Sequence, residues 1–493
     1  GLEMRVLKFG GTSVGSAESI KQVAAIVARA VSEDRSVVVV SALAGVTNRL
    51  VVLIDRVLAG DEGWRSGLED IRSRHQRELA LFGNGSHAKA SRVIDCRIDE
   101  LGRLFTGVGL IGECPQATRD RILAAGERLS AQLVAVALKA FGVRSEVVDG
   151  SELIEAERGL HGAEVLADAT AGRVAERLSA LDPETVPVIT GFVAVDPAGR
   201  TITLGRGGSD LSATVLGAAL SCDQVEIWTD VNGVMSAPPR MVRAARTLAV
   251  LSVAEAEQMA YFGAKVLHPT CLAALAERDI PVMIRNTHQP GGSFTVVRQD
   301  AGHTQGARAV AAVENVAVFE LKRPHGSDEG WGDRLERALA AIQHQLLVVS
   351  RASAEGTWTF VAPASAGDTV VDRLAAHRVD GAMVRRRDSL LALVGSSVLA
   401  QPWVIGRALE ALGSRKITVL GLFAGSTPCA ISLLVSNDEL EAALETVHEA
   451  LMLGSRVKVD SVRQEERNGK EKIERQYSRG HRQRRSEAHP PAA

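Results

Sequence analysis

The stretch Arg5-Val-Leu-Lys-Phe-Gly-Gly-Thr-Ser-Val14 contains the first strand of the chain and the turn that follows it. Arg5 to Phe9 has the pattern of a buried strand, and the amphipathic residues Ala17 to Glu33 predict the next helix. The glycine pair between them lets backbone amides approach a ligand closely, and the positive end of the helix favours an anion such as phosphate. Lys8 adds a compact positive charge. A tight turn with a solvated lysine would give the same pattern, so this stretch alone leaves both interpretations open.

Strands and helices alternate in this way as far as about Val297, which predicts a mainly parallel sheet covered on both faces and therefore an α/β fold. Further buried strands are expected at Ser36–Ser41, Ser145–Asp149, Val186–Phe192, Gln224–Thr229 and Pro281–Asn286. Further helices are expected at Arg119–Phe141, Glu164–Leu181, Ser209–Ser221 and Val253–Arg278. We assign residues 4–297 to this domain.

The pattern changes to smaller units between about Ala307 and Val462, where the order βαββα(β) occurs twice. We predict two ferredoxin-like domains, at residues 307–386 and 387–462. The first begins with a strand at Ala309–Leu321, and the second closes with a strand at Val457–Ser461. Residues 463–493 are charged, rich in arginine and poor in apolar side chains, so we expect a disordered tail.

The composition excludes several classes of protein. The chain has 493 residues, with 57 Lys and Arg against 59 Asp and Glu, and a formal net charge of −2. This balance and an aromatic content of 3% disfavour binding to nucleic acid. The five cysteines are scattered, which predicts neither a disulfide framework nor a zinc site and favours a reducing, cytoplasmic location. No stretch approaches the roughly 20 apolar residues that cross a membrane, so we expect no membrane partner.

The segment Leu204-Gly-Arg-Gly-Gly-Ser-Asp210 again combines glycines and charges at the start of a predicted helix. Arg206 has the forked geometry that binds a carboxylate, and Asp210 is suited to orient a lysine or a metal-bound phosphate. The alternative is that Ser209 or Asp210 only caps the helix.

The segment Thr229-Asp-Val-Asn-Gly233 comes at the end of a predicted strand, where an open α/β sheet places its ligand loops. A simple Asx-type turn would explain the same residues. Glu127, Thr47 and Lys265 are further candidates, for an amino group, a carboxylate and a nucleotide phosphate respectively. Each of these residue types alone is more often found on the surface.

Taken together, five motifs resemble, in the right order, the motif series of the aspartate kinases. They are Lys8-Phe-Gly-Gly-Thr-Ser-Val14, Gly126-Glu-Arg-Leu-Ser130, Leu204-Gly-Arg-Gly-Gly-Ser-Asp210, Ile227-Trp-Thr-Asp-Val-Asn-Gly233 and Tyr261-Phe-Gly-Ala-Lys-Val-Leu-His-Pro269. Several independent motifs in order are more specific than any one of them. The resemblance covers about Met4 to Thr295, and residues 307–462 are similar in layout to the paired ACT regulatory domains of that family.

The resemblance implies an amino-acid-kinase αβα sandwich followed by two ACT-like domains. It also implies a monofunctional enzyme, because bifunctional members continue into a homoserine dehydrogenase domain. The implied reaction transfers the γ-phosphoryl group of ATP, with Mg2+, to the side-chain carboxylate of L-aspartate.

The resemblance also implies roles for the residues at matching positions. Lys8 and Asp210 would be catalytic. Aspartate would be bound by Ser41, Thr47, Glu127 and Arg206. The nucleotide and its phosphates would be bound by Lys8, Gly10, Gly11, Gly208, Ser209, Thr229, Asp230, Arg240 and Lys265. No protein ligand to the metal is implied.

Two segments depart from the family pattern. Where the family usually has a tyrosine and then Thr-Asp-Pro-Arg, this chain has Met235 and then Ala237-Pro-Pro-Arg240, which puts the usual nucleotide contacts in question. The effector turn of the first ACT-like domain would fall at residues 323–332, whose sequence is unlike the usual one. An amino-acid effector is therefore an open question. Free sheet edges in the ACT-like half predict a homodimer or a higher homo-oligomer.

Three hypotheses follow from these observations. The first is aspartate kinase. The second is a specialised relative of the same fold that phosphorylates another acidic amino acid. The third is an amino-acid sensor without catalytic activity, which would act through the ACT-like half.

Overall fold

The computed structural model describes residues 3–82, 87–159, 162–264, 267–302, 305–327, 330–352, 357–379, 382–424 and 427–453. They form two units. The first unit contains the described residues of 3–235 and 250–302, and the second contains those of 236–249 and 305–453.

The first unit is an α/β structure of twelve strands and eleven helices among its described residues. The strands are β1 Met4–Phe9, β2 Arg35–Val40, β3 Ser145–Val148, β4 Ala156–Gly159, β5 Gly162–Val165, β6 Val186–Thr190, β7 Val193–Val195, β8 Thr201–Thr203, β9 Gln224–Thr229, β10 Val250–Ser252, β11 Val282–Asn286 and β12 Thr295–Arg298. The helices are α1 Ala17–Glu33, α2 Val46–Leu58, α3 Trp64–Ala80, α4 His87–Ile111, α5 Gln116–Leu123, α6 Ala125–Ala140, α7 Gly150–Leu153, α8 Ala167–Ser179, α9 Gly208–Leu220, α10 Val253–Tyr261 and α11 Pro269–Ala276.

Eight of these strands form one sheet in the order β10-β12-β11-β9-β1-β2-β6-β3. Only the pair β11–β12 is antiparallel, so the mainly parallel sheet expected from the sequence is confirmed. Leu7 and Phe9 of β1 point into a core shared with α1 and α6. Since side chains alternate across a strand, Lys8 between them points to the opposite face, where α9 packs against β1.

The register of the sheet aligns the carboxyl ends of its central strands. Phe9 lies opposite Val40 on one side and Trp228 on the other, and Val40 lies opposite Thr190. The connections that follow β1, β2, β6 and β9 therefore leave the sheet at the same edge. This is where open α/β sheets bind their ligands.

The boundaries predicted for the first unit differ from the structure mainly at turns. The helix expected at Glu164–Leu181 begins only at Ala167, because Gly162–Val165 pairs with β4 as strand β5. The strand expected at Val186–Phe192 ends at Thr190, and Phe192 has a positive φ of 68°, which no strand residue adopts. The single helix expected at Arg119–Phe141 is two helices, α5 and α6, which meet at Ala124. The helix expected at Val253–Arg278 is likewise two, because Gly263 has a φ of 83° and Pro269 starts a new helix.

The second unit contains one six-stranded sheet and four α-helices among its described residues. Its strands are β13 Ala309–Lys322, β14 Val348–Ala352, β15 Thr357–Pro363, β16 Ala382–Val394, β17 Gly421–Ala424 and β18 Ala430–Ser436. Its helices are α12 Trp331–Ile342, α13 Gly367–Ala376, α14 Pro402–Ser414 and α15 Leu440–Leu453. The strand order is β14-β15-β13-β16-β18-β17.

Two long strands pass through both halves of this sheet. Residues 316–322 of β13 pair with β15 and with the start of β16, and they complete a first ferredoxin-like half. Residues 309–313 of the same strand pair with 390–394 of β16 and supply the fourth strand of a second half. The two ferredoxin-like domains are present, but the boundary expected between residues 386 and 387 falls inside β16. The closing strand expected at 457–461 and the tail at 463–493 lie outside the described residues.

A short segment, residues 236–249, belongs to the second unit although it interrupts the first in sequence. Its Ala237 and Val242 are buried in the core of the second ferredoxin-like half. Ser236 is fully buried and forms a 2.9 Å hydrogen bond with Nε2 of His448.

Among the helices of the described residues, none combines the length and apolar character that spanning a membrane requires.

Candidate active site

A lysine–aspartate ion pair lies at the carboxyl edge of the parallel sheet. Lys8 is only 8% exposed, and its Nζ lies 2.6 Å from Oδ1 of Asp210. Asp210 stands in the first turn of α9, where a negative charge is favoured by the helix dipole. The N-cap of α9 is Gly207, with a φ of 67° and no side-chain cap. The alternative that Ser209 or Asp210 only caps this helix is therefore wrong, and Asp210 is oriented towards the lysine.

The glycines after β1 and at the start of α9 are required for different structural reasons. The amide of Gly10 donates to the carbonyl of Trp228 at 3.0 Å, and a Cβ at Gly10 would lie 3.5 Å from Nζ of Lys8. The lack of a side chain there keeps space beside the ammonium group for a ligand. A Cβ at Gly11 would lie 3.1 Å from the carbonyl of Ala42, and one at Gly208 would clash with Phe192. Gly11 and Gly208 are therefore also required by packing.

Glu127 is a buried carboxyl group with one oxygen unused. It stands in the first turn of α6 and is 3% exposed. Its Oε1 accepts a hydrogen bond from the amide of Ala42 at 3.2 Å, whereas its Oε2 is buried and has no partner. Burial raises the pKa of Glu127 to about 8, against the smaller opposing effects of that hydrogen bond, Arg128 and Lys8. A cationic donor that reached Oε2 would satisfy it and restore the ionised form.

The loop after β2 carries Ser41 and leads to Thr47 at the start of α2. The amide of Ser41 donates to the carbonyl of Phe9 at 3.1 Å, and the hydroxyl of Ser130 donates to the carbonyl of Ser41 at 2.6 Å. A Cβ built at Gly126 would lie 3.7 Å from Oγ1 of Thr47, which brings Thr47 close to the helix that carries Glu127. These contacts set the position of the loop relative to β1 and α6.

Arg74 of α3 joins two loops of the site, and no sequence motif points to it. Its guanidinium donates to the carbonyl of Ala44 and to the carbonyl of Gly15, both at 2.9 Å. It thereby joins the loop after β2 to the loop after β1. Arginine is common on helix surfaces, so only the tertiary contacts distinguish this one.

Eight of the predicted site residues line one cavity of about 310 Å³. They are Lys8, Gly11, Ser41, Thr47, Glu127, Gly208, Ser209 and Asp210. The cavity is also lined by Asn48 and by Phe192, whose left-handed backbone bends the chain away from β6. Phe192 was missed because a positive φ at phenylalanine has no sequence signature. A cavity of this size, with one cationic and two acidic side chains, suits a small zwitterionic molecule.

The remaining predicted residues lie elsewhere. Arg206 is exposed on the glycine loop and does not line the cavity, although its neighbours Gly205 and Gly207 do. Gly10, Thr229 and Asp230 lie beside the cavity, since β9 pairs with β1 and Thr229 is its last residue. Arg240 belongs to the second unit, where it is exposed and forms an ion pair with Glu314. Lys265 lies outside the described residues.

Among the described residues, no three His, Cys, Asp or Glu side chains are grouped so that they could hold a metal ion. His268 is the N-cap of α11 and does not belong to any such group. Its Nδ1 lies 2.8 Å from the hydroxyl of Thr270. The cavity thus offers a lysine, glycine turns and two helix starts rather than a metal cage.

This fold and this cavity define an α/β protein with a charged cavity at the carboxyl edge of a mainly parallel sheet. More narrowly, the chain belongs to the amino acid kinase family, whose sequence profile matches residues 3–286.

Among curated proteins, the chain is similar to a bifunctional aspartokinase/homoserine dehydrogenase of Haemophilus influenzae. The two are 28% identical over 471 residues, which is 92% of this chain and 57% of that protein. It is also 28% identical over 465 residues to the chloroplastic aspartokinase 1 of Arabidopsis thaliana, covering 90% of this chain and 79% of that one. The chain spans only a little over half the length of the bifunctional relatives it matches.

Among solved structures, the chain is similar to E. coli aspartokinase III. The complex of that protein with aspartate and ADP, in its R-state, gives a TM-score of 0.79 at 27% identity and covers 91% of this chain and all of that one. Its complex with lysine and aspartate, in the T-state, gives a TM-score of 0.72 at the same identity. The chain thus shares the fold of E. coli aspartokinase III over both of its units.

Proposed function

We propose that the protein is an aspartate kinase, which transfers the γ-phosphoryl group of ATP to the side-chain carboxylate of L-aspartate. The products are 4-phospho-L-aspartate and ADP, and the reaction would be the first step of aspartate-family amino-acid biosynthesis. The observation that carries the proposal is the meeting of Lys8, Asp210 and the unsatisfied oxygen of Glu127 in one cavity. The similarity to a solved aspartokinase with bound aspartate and ADP supports it.

Glu127 is the group best suited to the α-ammonium of aspartate. Its Oε2 is buried without a partner, and an ammonium group is the donor that would compensate an ionised carboxylate there. Thr47 and Ser41, on the neighbouring loop, are placed to donate to a carboxylate. Arg206 is assigned to the α-carboxylate as a proposal, and this role requires its exposed side chain to turn towards the cavity.

The proposed reaction requires no acid–base catalysis by the protein. The aspartate carboxylate is already a nucleophile, so the bond from its oxygen to phosphorus forms as the bond from phosphorus to the ADP oxygen breaks, and no proton has to move. What remains is to hold the two reactants in line and to neutralise negative charge. Lys8 does the latter, and Asp210 holds its ammonium group at 2.6 Å.

The nucleotide is proposed to bind along Gly10, Gly208 and Ser209 with its phosphates and along Thr229 and Asp230 beyond them. Because Gly10 carries no Cβ, a phosphate oxygen can approach its backbone closely beside Nζ of Lys8. Mg2+ is proposed to be bound mainly through the phosphates, as is usual for this ion, since the described carboxylates form no cage for it. The roles of Arg240 and Lys265 in nucleotide binding stay predictions.

We also infer a homodimer, with an amino-acid effector as an open possibility, and a cytoplasmic location. The strands β14 and β17 form the two edges of the six-stranded sheet, and such edges readily pair with a second copy. Light scattering on the purified chain tests the oligomer.

The test of the function is hydroxamate formation from ATP, Mg2+ and hydroxylamine with a panel of acids that includes aspartate, glutamate and N-acetylaspartate. We expect turnover with aspartate, and its loss in Lys8→Ala. Turnover with glutamate alone would favour a specialised relative. Binding of amino acids without any turnover would favour the sensor.

A further inference from the structure

The segment Thr229–Val234, which we call the nucleotide segment, is held in place by the connection between β11 and β12. This connection, residues 286–295, we call the support segment. It was not singled out by any sequence motif. Four residues of the nucleotide segment form hydrogen bonds with the support segment. In most of these bonds the atom of the support segment belongs to a side chain.

Thr295 fixes the far end of the nucleotide segment. Its buried hydroxyl accepts a hydrogen bond from the amide of Val234 at 2.7 Å. The neighbouring Gly233 has a φ of 82°, and a Cβ there would lie 2.7 Å from the amide nitrogen of Thr295. The two backbones therefore approach so closely that the position of residue 295 dictates the position of residues 233 and 234.

Thr287 fixes the near end and joins it to the glycine loop after β1. Its amide donates to the carbonyl of Thr229 at 2.9 Å. Its hydroxyl, which is fully buried, lies 2.6 Å from Oγ of Ser13, and Ser13 in turn donates to the carbonyl of Trp228 at 3.3 Å. The arrangement that satisfies both groups has Thr287 donating to Ser13. The two hydroxyls of Thr287 and Ser13 thus connect the ends of β1, β9 and β11.

The middle of the nucleotide segment is held by three side-chain amides, of which Asn286 is buried, Asn232 half-buried and Gln289 exposed. Nδ2 of Asn286 donates to Oδ1 of Asn232 at 2.8 Å, and Nδ2 of Asn232 donates to Oε1 of Gln289 at 2.9 Å. Because Gln289 is exposed, this last bond is expected to contribute less than the buried ones.

We propose that Thr287 and Thr295 are positioning residues that set the geometry of the nucleotide site without contacting the nucleotide. This inference rests on the proposed function, in which Thr229 and Asp230 bind the nucleotide. Thr295 acts on the nucleotide segment alone. Thr287 acts on that segment and, through Ser13, on the loop that carries Gly10 and Gly11.

The first experiment compares Thr295→Val with Thr295→Ser. Valine keeps the shape and removes the acceptor, whereas serine keeps the hydroxyl. We expect Thr295→Val to raise the KM for ATP and the dissociation constant for Mg-ADP by about tenfold, with the KM for aspartate changed by less than about twofold. Thr295→Ser should restore both nucleotide constants. Equal increases in both KM values, or no rescue by serine, would overturn the role of Thr295.

The second experiment compares Thr287→Val with Thr287→Ser in the same assays. Since Thr287 also supports the glycine loop beside Lys8, we expect kcat to fall about tenfold in addition to the change in the KM for ATP, with rescue by serine. A change in the KM for ATP with no change in kcat would refute the link through Ser13.

Gln289→Ala serves as a variant with little expected effect on folding, because the side chain of Gln289 is exposed. It should raise the dissociation constant for Mg-ADP by about twofold to threefold. An unchanged constant would contradict the role given to the support segment. Mg-ADP binding by calorimetry does not depend on turnover, so a wild-type chain that binds Mg-ADP but does not phosphorylate aspartate would refute the proposed function and leave this proposal testable.

Discussion

The two sheets of this protein use their strand ends differently. In the parallel sheet of the first unit, the carboxyl ends of β1, β2, β6 and β9 lie at one edge. Lys8 of β1, Ser41 and Phe192 of the loops after β2 and β6, and Glu127 of α6 line one cavity there. In the antiparallel sheet of the second unit, neighbouring strands end at opposite edges, so their polar loops are divided between the two. The parallel sheet therefore brings its candidate site residues together at one edge, whereas the antiparallel sheet provides continuous backbone hydrogen bonding along its long strands.

The strongest test of this difference removes the charge at the parallel edge. We expect Lys8→Ala to lower kcat by about a thousandfold, because no other described cation lines the cavity to neutralise the transferring phosphoryl group. Asp210→Asn should act largely through the same lysine, so the double variant should be little worse than Lys8→Ala. Kinetics of the three variants measure this, and fully additive losses would contradict the pairing.

Glu127→Gln tests the proposed binding of the aspartate α-ammonium group at the same edge of the sheet. We expect the KM for aspartate to rise about a hundredfold, since the amide cannot compensate the substrate ammonium. The KM for ATP should change little, and comparable increases in both constants would refute the assignment.

The raised pKa of Glu127 also predicts a pH dependence. Its pKa of about 8 means that the ligand-free carboxyl group is protonated at pH 7 and must ionise to bind an ammonium group. Thus kcat/KM for aspartate should rise with pH and level off above about 8, and Glu127→Gln should abolish this rise. Calorimetry at pH 7 in buffers of different ionisation enthalpy should detect proton release on binding aspartate.

The same group links pH to stability. Because its folded pKa lies above the unfolded value of 4.5, the folded state holds this proton more tightly. The contribution of Glu127 to stability is therefore fully present below about pH 4.5 and is lost as pH rises towards 8. In urea titrations, wild type should lose stability relative to Glu127→Gln across that range, and parallel pH profiles would contradict it.

The antiparallel sheet is tested through the strand that completes its second half. Val310 in β13 is 1% exposed, whereas Val349 in β14 is 51% exposed. We expect Val310→Ala to destabilise the second half by about 2 kcal/mol and Val349→Ala to cost less than about 0.5 kcal/mol. Hydrogen exchange of the full chain should show lost protection at 390–394 but not at 348–352. Loss at 348–352 instead would contradict the shared strand.

Arg74 tests how far the parallel edge depends on support from outside the sheet. We expect Arg74→Lys to lower kcat/KM by about tenfold, because a single ammonium group cannot reach both the Ala44 and Gly15 carbonyls in the same geometry. Arg77→Lys, one turn along α3 and 69% exposed, is the matched control. An equal effect of both substitutions would indicate a general effect of the helix.

The smallest expected effect concerns regulation through the second unit. Residues 323–332 differ from the usual effector turn, so lysine or threonine at millimolar concentration should change activity by less than tenfold. Initial-rate assays with each amino acid check this. A sigmoidal shutdown by either would show that the turn still couples an effector to catalysis.

Much of the first unit could be predicted because its strands are buried on both faces. Residues 37–40 are all valine and all buried, and strand β9 was predicted at its observed bounds. Six of the eight predicted site residues that line the cavity come from motifs dense in glycine and charge, whereas Ser41 and Thr47 lie outside these motifs. Arg74 and Thr287 could not be predicted, since their hydrogen bonds join residues far apart in sequence, and the positive φ of Phe192 has no sequence signature.

The topology of the second unit was only partly predictable for the same reason. Periodicity indicates that residues 309–322 form a strand, but it does not indicate which neighbours the two ends of that strand have. Asn315 has a φ of 54°, and the register of β13 against β16 shifts between Val313 and Val316. The pairing changes from one half of the sheet to the other around this irregularity.

The sequence by itself determined the class of fold, most strands of the parallel sheet and the identity of the central charged residues, because these follow from local apolar patterns and from short motifs. The tertiary structure decided which of those residues share a cavity, why Oε2 of Glu127 is left without a partner, and how strand β13 serves two halves of a sheet. The physical reason is that burial, pKa and strand pairing depend on neighbours brought together only when the chain folds.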